Sequence, residues 1–494
     1  MSFRRVGKAA GMALAALLEI SCGQTYRPVV IPVNTTPPNP ANFHAVFGIS
    51  VNSPFSPGSA LQIDVSGDTV IGTASMGVNP THATNLPNNS RIFVASAGSL
   101  FSGDADTVTA FSPAAASTTA TGLGSPAIFT LPYGSLPVFL NTSSSGSMFV
   151  ANYGTNSVTS LNLNAGIPGL SGVVGTHPVA LAETSDGQNL YVANQGSNTV
   201  TDISPTDMST LATIPVGNTP AWAVARPDGL RIYVITQGDG LLYTIRTDIN
   251  AVVSSQSVGG AGANFVLYDK SRNRLYVTNP SAASVYVFDA TTDPPTPLGS
   301  ASGALSIAAP PIPAGTTPCV SATCSYSPVM PVSVAALPDG SRFYVASYVT
   351  AAAGSPCPDP TVTAAGCVIP QVTVFDAGSL KVKTTVFPLL PTTVATSGFA
   401  VAPVAFCAPV FPYTPASARF RMSAAAAEDG SRAYSSICDG GSVAIINTTT
   451  STLSTGSNTP DTLVFDLPAP FSAGPAQSNG EPPPQNPVFL LTGQ

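Results

Sequence analysis

One phrase recurs along most of this chain: an apolar pair, a small residue, Asn, a polar turn with Gly, then an alternating strand. The clearest copy, PVALAETSDGQNLYVANQGSNTVTDIS, starts at Pro178. The next, PAWAVARPDGLRIYVITQGDGLLYTIRTD, starts at Pro220. A period of about forty residues punctuated by turns restricts the fold to stacked or circular repeats. Each unit reads as four strands. An inner strand follows a Pro and ends in a tight turn such as Pro338-Asp339-Gly340. Asp-Gly supplies the positive φ that such a turn needs. A second strand follows, typified by Leu190 to Asn194, then a third such as Thr199 to Ile203, then a fourth such as Leu211 to Val216. Four antiparallel strands cannot close a core alone, so each sheet must bury its face against the next.

The second-strand aromatic anchors fall at Phe93, Phe149, Tyr191, Tyr233, Tyr276, Tyr344 and Tyr434. An eighth copy begins at Val46 but lacks an inner strand before it. Two C-terminal segments, Thr462 to Leu467 and Pro487 to Leu491, are candidates to complete it and remove two open edges. The expected fold is therefore all-β: a β-propeller over residues 44–494 with eight four-stranded antiparallel blades, the first closed by N- and C-terminal strands. Seven blades is the alternative. Pro- and Cys-rich insertions fall near 294–331, 350–370 and 388–420.

Composition narrows the partners. Charged residues are 8% of 494, the net charge is −7, and Lys is confined to positions 8, 270, 381 and 383. Nucleic acid needs clustered positive charge, so it is not an expected partner.

Residues 1–21 read as an export signal. Arg4, Arg5 and Lys8 precede a short apolar run from Ala9 to Leu18, too short to span a bilayer. Small residues then meet Cys22 and Gly23, which resembles a bacterial lipoprotein signal and implies lipidation of Cys22. Glu19 stands where such signals place Leu, and Leu18 is one step back. Ordinary cleavage nearby is the alternative; the Arg4-Arg5 pair also resembles part of a twin-arginine signal. Residues 22–43 are Pro-rich and read as an extended tether. The implied location is the periplasm or cell surface, lipid-anchored to a bacterial membrane.

Without Cys22, six cysteines remain, an even number that suits disulfides in an exported chain. Proximity favours Cys319–Cys324, Cys357–Cys367 and Cys407–Cys438 among 15 connectivities. A zinc site is the rival, but there is no CxxC pair and no neighbouring His.

Tyr191-Val192-Ala193-Asn194 followed by Gly196-Ser197-Asn198-Thr199-Val200 resembles the YVTN β-propeller repeat family. Phe149-Val150-Ala151-Asn152 and Tyr276-Val277-Thr278-Asn279 are related copies. The resemblance implies a fold, usually described as seven-bladed, and an exported location, with no single activity.

Loops joining second to third strands share one face with the connectors into inner strands, and ligands commonly meet that face. It carries Asn152, Tyr153, Asn156, Asn194, Gln195 and Asn198. His82 and His177 are expected just before inner strands, at the channel mouth, and His44 at the end of the tether. The amides suit a glycan or peptide ligand; they equally suit positive-φ turns and local backbone capping. Glu183 and Arg226 are inner-strand charges expected to form a pair or a solvated rim. Trp222 is expected to pack between blades. Asp186, Asp228, Asp339 and Asp429 read as turn formers on the opposite face.

No GxSxG, HExxH, P-loop or EF-hand pattern occurs, and there are three His. No catalytic residue, metal ligand or cofactor is assigned. The leading reading is a monomeric, non-catalytic binding or assembly scaffold for a protein, peptide or glycan, touching the membrane through its lipid only. Propellers that resemble this one include metal-dependent lactonases, a second reading that would recruit Glu183, Asp104, Asp106 and Asp239. A third is a structural envelope or adhesion protein that uses the insertions as its contact surface.

Overall fold

The computed structural model describes residues 45–52, 56–65, 67–98, 104–113, 123–124, 126–143, 146–310, 326–355, 357, 366–388, 400–401, 403–404, 407, 421–449, 460–468 and 486–493. The signal segment 1–21, the tether 22–43 with Cys22, His44, and the Cys319 and Cys324 pair lie outside them. Among the described residues no helix is long and apolar enough to cross a membrane.

The strands form eight antiparallel blades. Blade 4 shows the pattern, with Pro178–Glu183 innermost, then Leu190–Asn194, Thr199–Ile203 and Thr210–Pro215. The other inner strands are Pro80–Asn85 (blade 2), Pro137–Thr142 (blade 3), Pro220–Ala225 (blade 5), Phe265–Asp269 (blade 6), Met330–Ala336 (blade 7) and Met422–Ala426 (blade 8). Blade 1 is composite. Ala45–Val51, Pro57–Asp64 and Thr69–Val78 supply three strands, and Asn486–Thr492 enters as the innermost. Phe489 pairs with Ile49 and Thr492 with Val46. Each inner strand packs against the next around a closed circuit, the C-terminal one lying between blades 8 and 2. Of the two segments that sequence offered for this role, Thr462–Pro468 is instead the outer strand of blade 8. The last blade needs its own fourth strand, which leaves the later segment to complete the first.

The anchors do what their recurrence suggests. Tyr191, Tyr233, Tyr276, Tyr344, Tyr434, Phe93 and Phe149 are among the largest fully buried side chains. Aromatics on one blade meet those on the next; Tyr276 of blade 6 lies 4.4 Å from Phe343 of blade 7. Such side chains bury about 150–250 Å² each, so they dominate the joint between sheets.

Polar clasps add direction to these apolar joints. The residue that opens a second strand reaches the turn between the third and outer strands of the following blade. Arg231 pairs with Asp293, and Arg274 Nη1 donates to the carbonyl of Ala377. Arg342 donates to Asp461 Oδ1 and to the carbonyl of Thr448, both at 2.6 Å. Arg432 Nη2 meets Asp68 Oδ2 at 3.1 Å. That last clasp joins blade 8 to blade 1, across the seam between the two ends of the chain.

Among the described residues two disulfides are formed, Cys357–Cys367 and Cys407–Cys438. They point to an oxidising, extracytoplasmic environment.

Candidate functional site

The two faces of the ring differ in construction. On one, each inner strand turns into its second strand. Asp186, Asp228, Asp339 and Asp429 sit there, and each Oδ1 accepts the amide two residues on. Gly187 and Gly340 supply the left-handed turn position at φ +67° and +66°. This turn face contrasts with a loop face, where second strands cross to third strands and connectors enter the next blade.

The amides singled out in the sequence hold the loop face together. Asn156 and Asn198 adopt φ +53° and +56°. Their Oδ1 atoms accept the amides of His177 and Thr219, each at the entrance to the following blade, at 2.9 Å. Asn152 and Asn194 are buried, and each Nδ2 donates into its own turn, to Thr159 Oγ1 at 2.8 Å and Thr201 Oγ1 at 2.9 Å. The backbone N–H of Gln195, not its side chain, donates to the carbonyl of His177 at 2.8 Å. Tyr153 stacks on His177 with centroids 4.2 Å apart and rings nearly parallel. Burial pushes the Tyr153 hydroxyl above its ordinary range.

Described residues of all three insertions lie on this loop face at blade 7. Its second and third strands, Arg342–Ala351 and Cys367–Asp376, are each 10 residues long, against 5 in blade 4. The hairpin therefore overshoots its neighbours by several residues, and Cys357–Cys367 joins its loop to the far end of its third strand. Tyr326, from the insertion before blade 7, bridges to Ala351, and Val401, from the insertion after it, bridges to Val368. Gln371 Nε2 donates to the carbonyl of Ala308 at 2.8 Å. The later insertion is then fixed to blade 8. Cys407 bonds Cys438, Arg421 pairs with buried Asp439 at 2.5 Å, and the Val404 amide donates to the same carboxylate at 2.8 Å. Burial raises the Asp439 carboxyl above its usual range, while Arg421 pulls it back.

Beneath this platform the central channel is plugged. The same β-bulge recurs near the start of the inner strands of blades 2, 3, 4, 5 and 7, after Pro80, Pro137, Pro178, Pro220 and Pro331. A matching shift lies between Pro487 and Phe489 in blade 1. A bulge re-aims the side chain that follows it. The equivalent positions are His82, Phe139, Ala180, Trp222, Ser333 and Phe489. Phe265 opens the inner strand of blade 6, and Ala424 lies at the matching level of blade 8. Small Ala180 lets residues of blades 3 and 5 meet across it: Phe139 and Trp222 lie edge-to-face at 5.1 Å. His82 stacks on Phe139 at 3.9 Å and approaches Phe489 at 4.9 Å, and Trp222 lies 5.0 Å from Phe265. His82 thus lies inside its inner strand and not before it. The strand starts at Pro80, and the bulge precedes His82, whose Nδ1 accepts the amide of Leu140 at 3.2 Å. Trp222, expected to pack between blades, instead meets Phe139 and Phe265 in the channel.

Below the aromatic layer the channel holds a cavity of about 620 Å³. Phe265, Phe489, Ser333 and Ala424 line its closed end, and Lys270, Ser271 and Pro338 lie at the turn face. At the end of the blade 4 inner strand, Glu183 accepts from Asn141 Nδ2 at 3.5 Å. Burial, aided by Asp186, pushes the Glu183 carboxyl up to about 7. Arg226 pairs with Asp228 of its own turn and not with Glu183. Among the other acids considered for a metal, Asp106 is buried against the backbone amides of residues 134–136, and Asp239 accepts the amide of Asn218 at 3.0 Å. No group of three or more His, Cys, Asp or Glu that could hold a metal ion occurs among the described residues.

No protein-family model matches the chain, and no curated protein matches its sequence. Solved structures do. The dihydro-heme d1 dehydrogenase NirN, in complex with DHE, aligns with a TM-score of 0.51 over 84% of this chain and 74% of its own, at 13% identity. Hydrazine synthase of Kuenenia stuttgartiensis gives 0.43 over 63% and 76% at 19% identity. A functionally unknown protein from Desulfotomaculum acetoxidans gives 0.39 over 50% and 83% at 17% identity. The likeness to NirN is one of fold.

Proposed function

We propose that this protein is a non-catalytic binding or assembly scaffold of the bacterial envelope, a YVTN-type propeller whose contact surface is the insertion platform of the loop face. One observation carries the reading: residues of two insertions bridge to the overlong hairpin of blade 7, which carries the third, and disulfides fasten two of the three. Ordering long loops costs conformational entropy. Cross-links and buried ion pairs that fix them on one face suit a preorganised contact surface. Around that ring, residues 1–21 serve as a cleaved export signal, Cys22 as a lipid attachment site, and residues 22–43 as the tether. The same platform suits a structural or adhesive partner, which belongs to the same reading.

A photo-crosslinking residue placed at exposed Ala353, on the platform, tests this in intact envelopes. Discrete products are expected from Ala353 and none from Gln188, which is exposed on the turn face. No product from Ala353, or the same products from both sites, would overturn the platform as the contact surface. Labelling with a radioactive fatty acid, lost in Cys22→Ser, tests the anchor separately.

A further inference from the structure

We propose that the channel cavity is a binding site for one neutral, ring-bearing apolar small molecule, entering from the turn face opposite the platform. This goes beyond the scaffold reading and is independent of it.

The cavity follows from where large and small residues fall around the ring. At the level of the bulges, blades 1, 2, 3, 5 and 6 supply Phe489, His82, Phe139, Trp222 and Phe265, in that order. Blades 7 and 8 supply only Ser333 and Ala424. The aromatic side chains fill one arc of the channel and leave the other arc empty. One pleat further along the inner strands stand Leu267, Ala335, Ala426 and Leu491, which line the cavity without filling it. Its size, about 620 Å³, falls in the range of pockets for drug-sized ligands, roughly 300–1,000 Å³.

The lining selects the class of ligand. Phe265 and Phe489 end the cavity with aromatic rings, and Trp222 stands behind Phe265 at 5.0 Å. Aromatic surfaces favour a ring, stacked or edge-on. The walls are aliphatic, and an apolar cavity binds apolar molecules in preference to water. Ser333 Oγ accepts the amide of Ala424 at 3.1 Å, so its hydroxyl hydrogen is left to donate to one acceptor oxygen on the ligand. Charge at the mouth is balanced. The charged residues of the lining are Lys270 and Asp269, one of each sign. No net charge is presented to an ionic ligand.

Trp222 is the sole tryptophan, which makes the site self-reporting. The probe is N-phenyl-1-naphthylamine, a neutral ring-bearing molecule that accepts energy from tryptophan. The expected result with the full folded chain is saturable 1:1 quenching of Trp222 emission. Its anionic relative, 1-anilinonaphthalene-8-sulfonate, should bind at least several-fold more weakly. Ala424→Phe fills the empty arc and should weaken the neutral probe tenfold or more; Ser333→Leu does so independently if the first variant fails to fold. Ala352→Phe, exposed on the platform, should leave binding unchanged. Absence of saturable quenching, equal affinity in a folded cavity-filled variant, or tighter binding of the anionic probe would each overturn the proposal. Crosslinking from Ala353 does not involve the cavity, so either reading can fail alone.

Discussion

Replacing Arg432 with Met should open the ring at its seam. The guanidinium is 3% exposed and so is the carboxylate it meets. Nε and Nη2 donate to Asp68 at 3.1 to 3.2 Å, and Nη1 donates to the carbonyl of Ser431 and to Asn447 Oδ1. Burial pushes the Asp68 carboxyl above its ordinary range, and Arg432 holds it back. Met fills the volume but leaves that carboxylate buried without a countercharge. Breaking a buried pair from one side costs about 3–5 kcal/mol. A ring of about 450 residues has an unfolding entropy near 0.9 kcal/mol/K, so the melting midpoint should fall by ~3–5 °C. Because the folded value for Asp68 lies above the unfolded one, its charge opposes folding as pH rises through that value, and losing Arg432 deepens the effect. The deficit should therefore be greatest near neutrality and shrink as acid protonates Asp68. The double variant Asp68→Asn/Arg432→Met should recover most of the loss, since no charge is then stranded. Calorimetry from pH 4 to 7.5 reads all of this. Arg246→Met, which breaks an exposed pair with Asp248, is the control and should leave the midpoint unchanged. A deficit independent of pH, or no larger than that of the control, would refute the reasoning.

Three further outcomes follow from the same geometry. Glu183 has a folded value near 7 against an ordinary 4.5, so its contribution to stability is fully present below pH 4.5 and is lost as pH rises through 7. Glu183→Gln should match the native midpoint in acid and exceed it above pH 7, and a constant offset would contradict the assignment. Tyr344 donates to Asp461 Oδ1 at 2.7 Å within the core, so Tyr344→Phe should cost about 1.5–3 kcal/mol in chemical denaturation. Cys407→Ser with Cys438→Ser removes a cross-link between residues 31 apart, and should cost ~3–4 kcal/mol, with the native midpoint approaching the variant's under reductant.

The ring was legible because its signal is redundant. Each blade repeats a buried aromatic on its second strand, so Tyr191 to Tyr434 mark blades even where long insertions intervene. The split first blade was legible from a missing inner strand. Its partner was ambiguous, because Thr462–Pro468 and Asn486–Thr492 both read as short apolar strands, and only counting the strands of blade 8 separates them. Two features escaped for opposite reasons. The clasps have a sequence signature, Arg two residues before the anchor at Arg231, Arg274, Arg342 and Arg432, conspicuous in a chain with so few charges. The channel has none that stands out. One residue per blade, two after a Pro in six of the eight, decides whether the channel is filled, and His82, Phe139 and Trp222 each look like ordinary strand residues until the ring brings them together. The Asn side chains were visible as a pattern, but which of them turn inward to their own backbone depends on register, which a linear reading does not contain.

Asn486–Thr492 as the innermost strand of blade 1 has a consequence for biosynthesis. The three N-terminal strands of blade 1 are translated before those of the other seven blades, yet they wait for a companion until all seven have been translated. A prematurely terminated product would carry an unsatisfied edge on its oldest blade and an uncovered flank on its youngest. A product that stops before Asn486 is therefore expected to be cleaved faster by proteases than one that includes that strand.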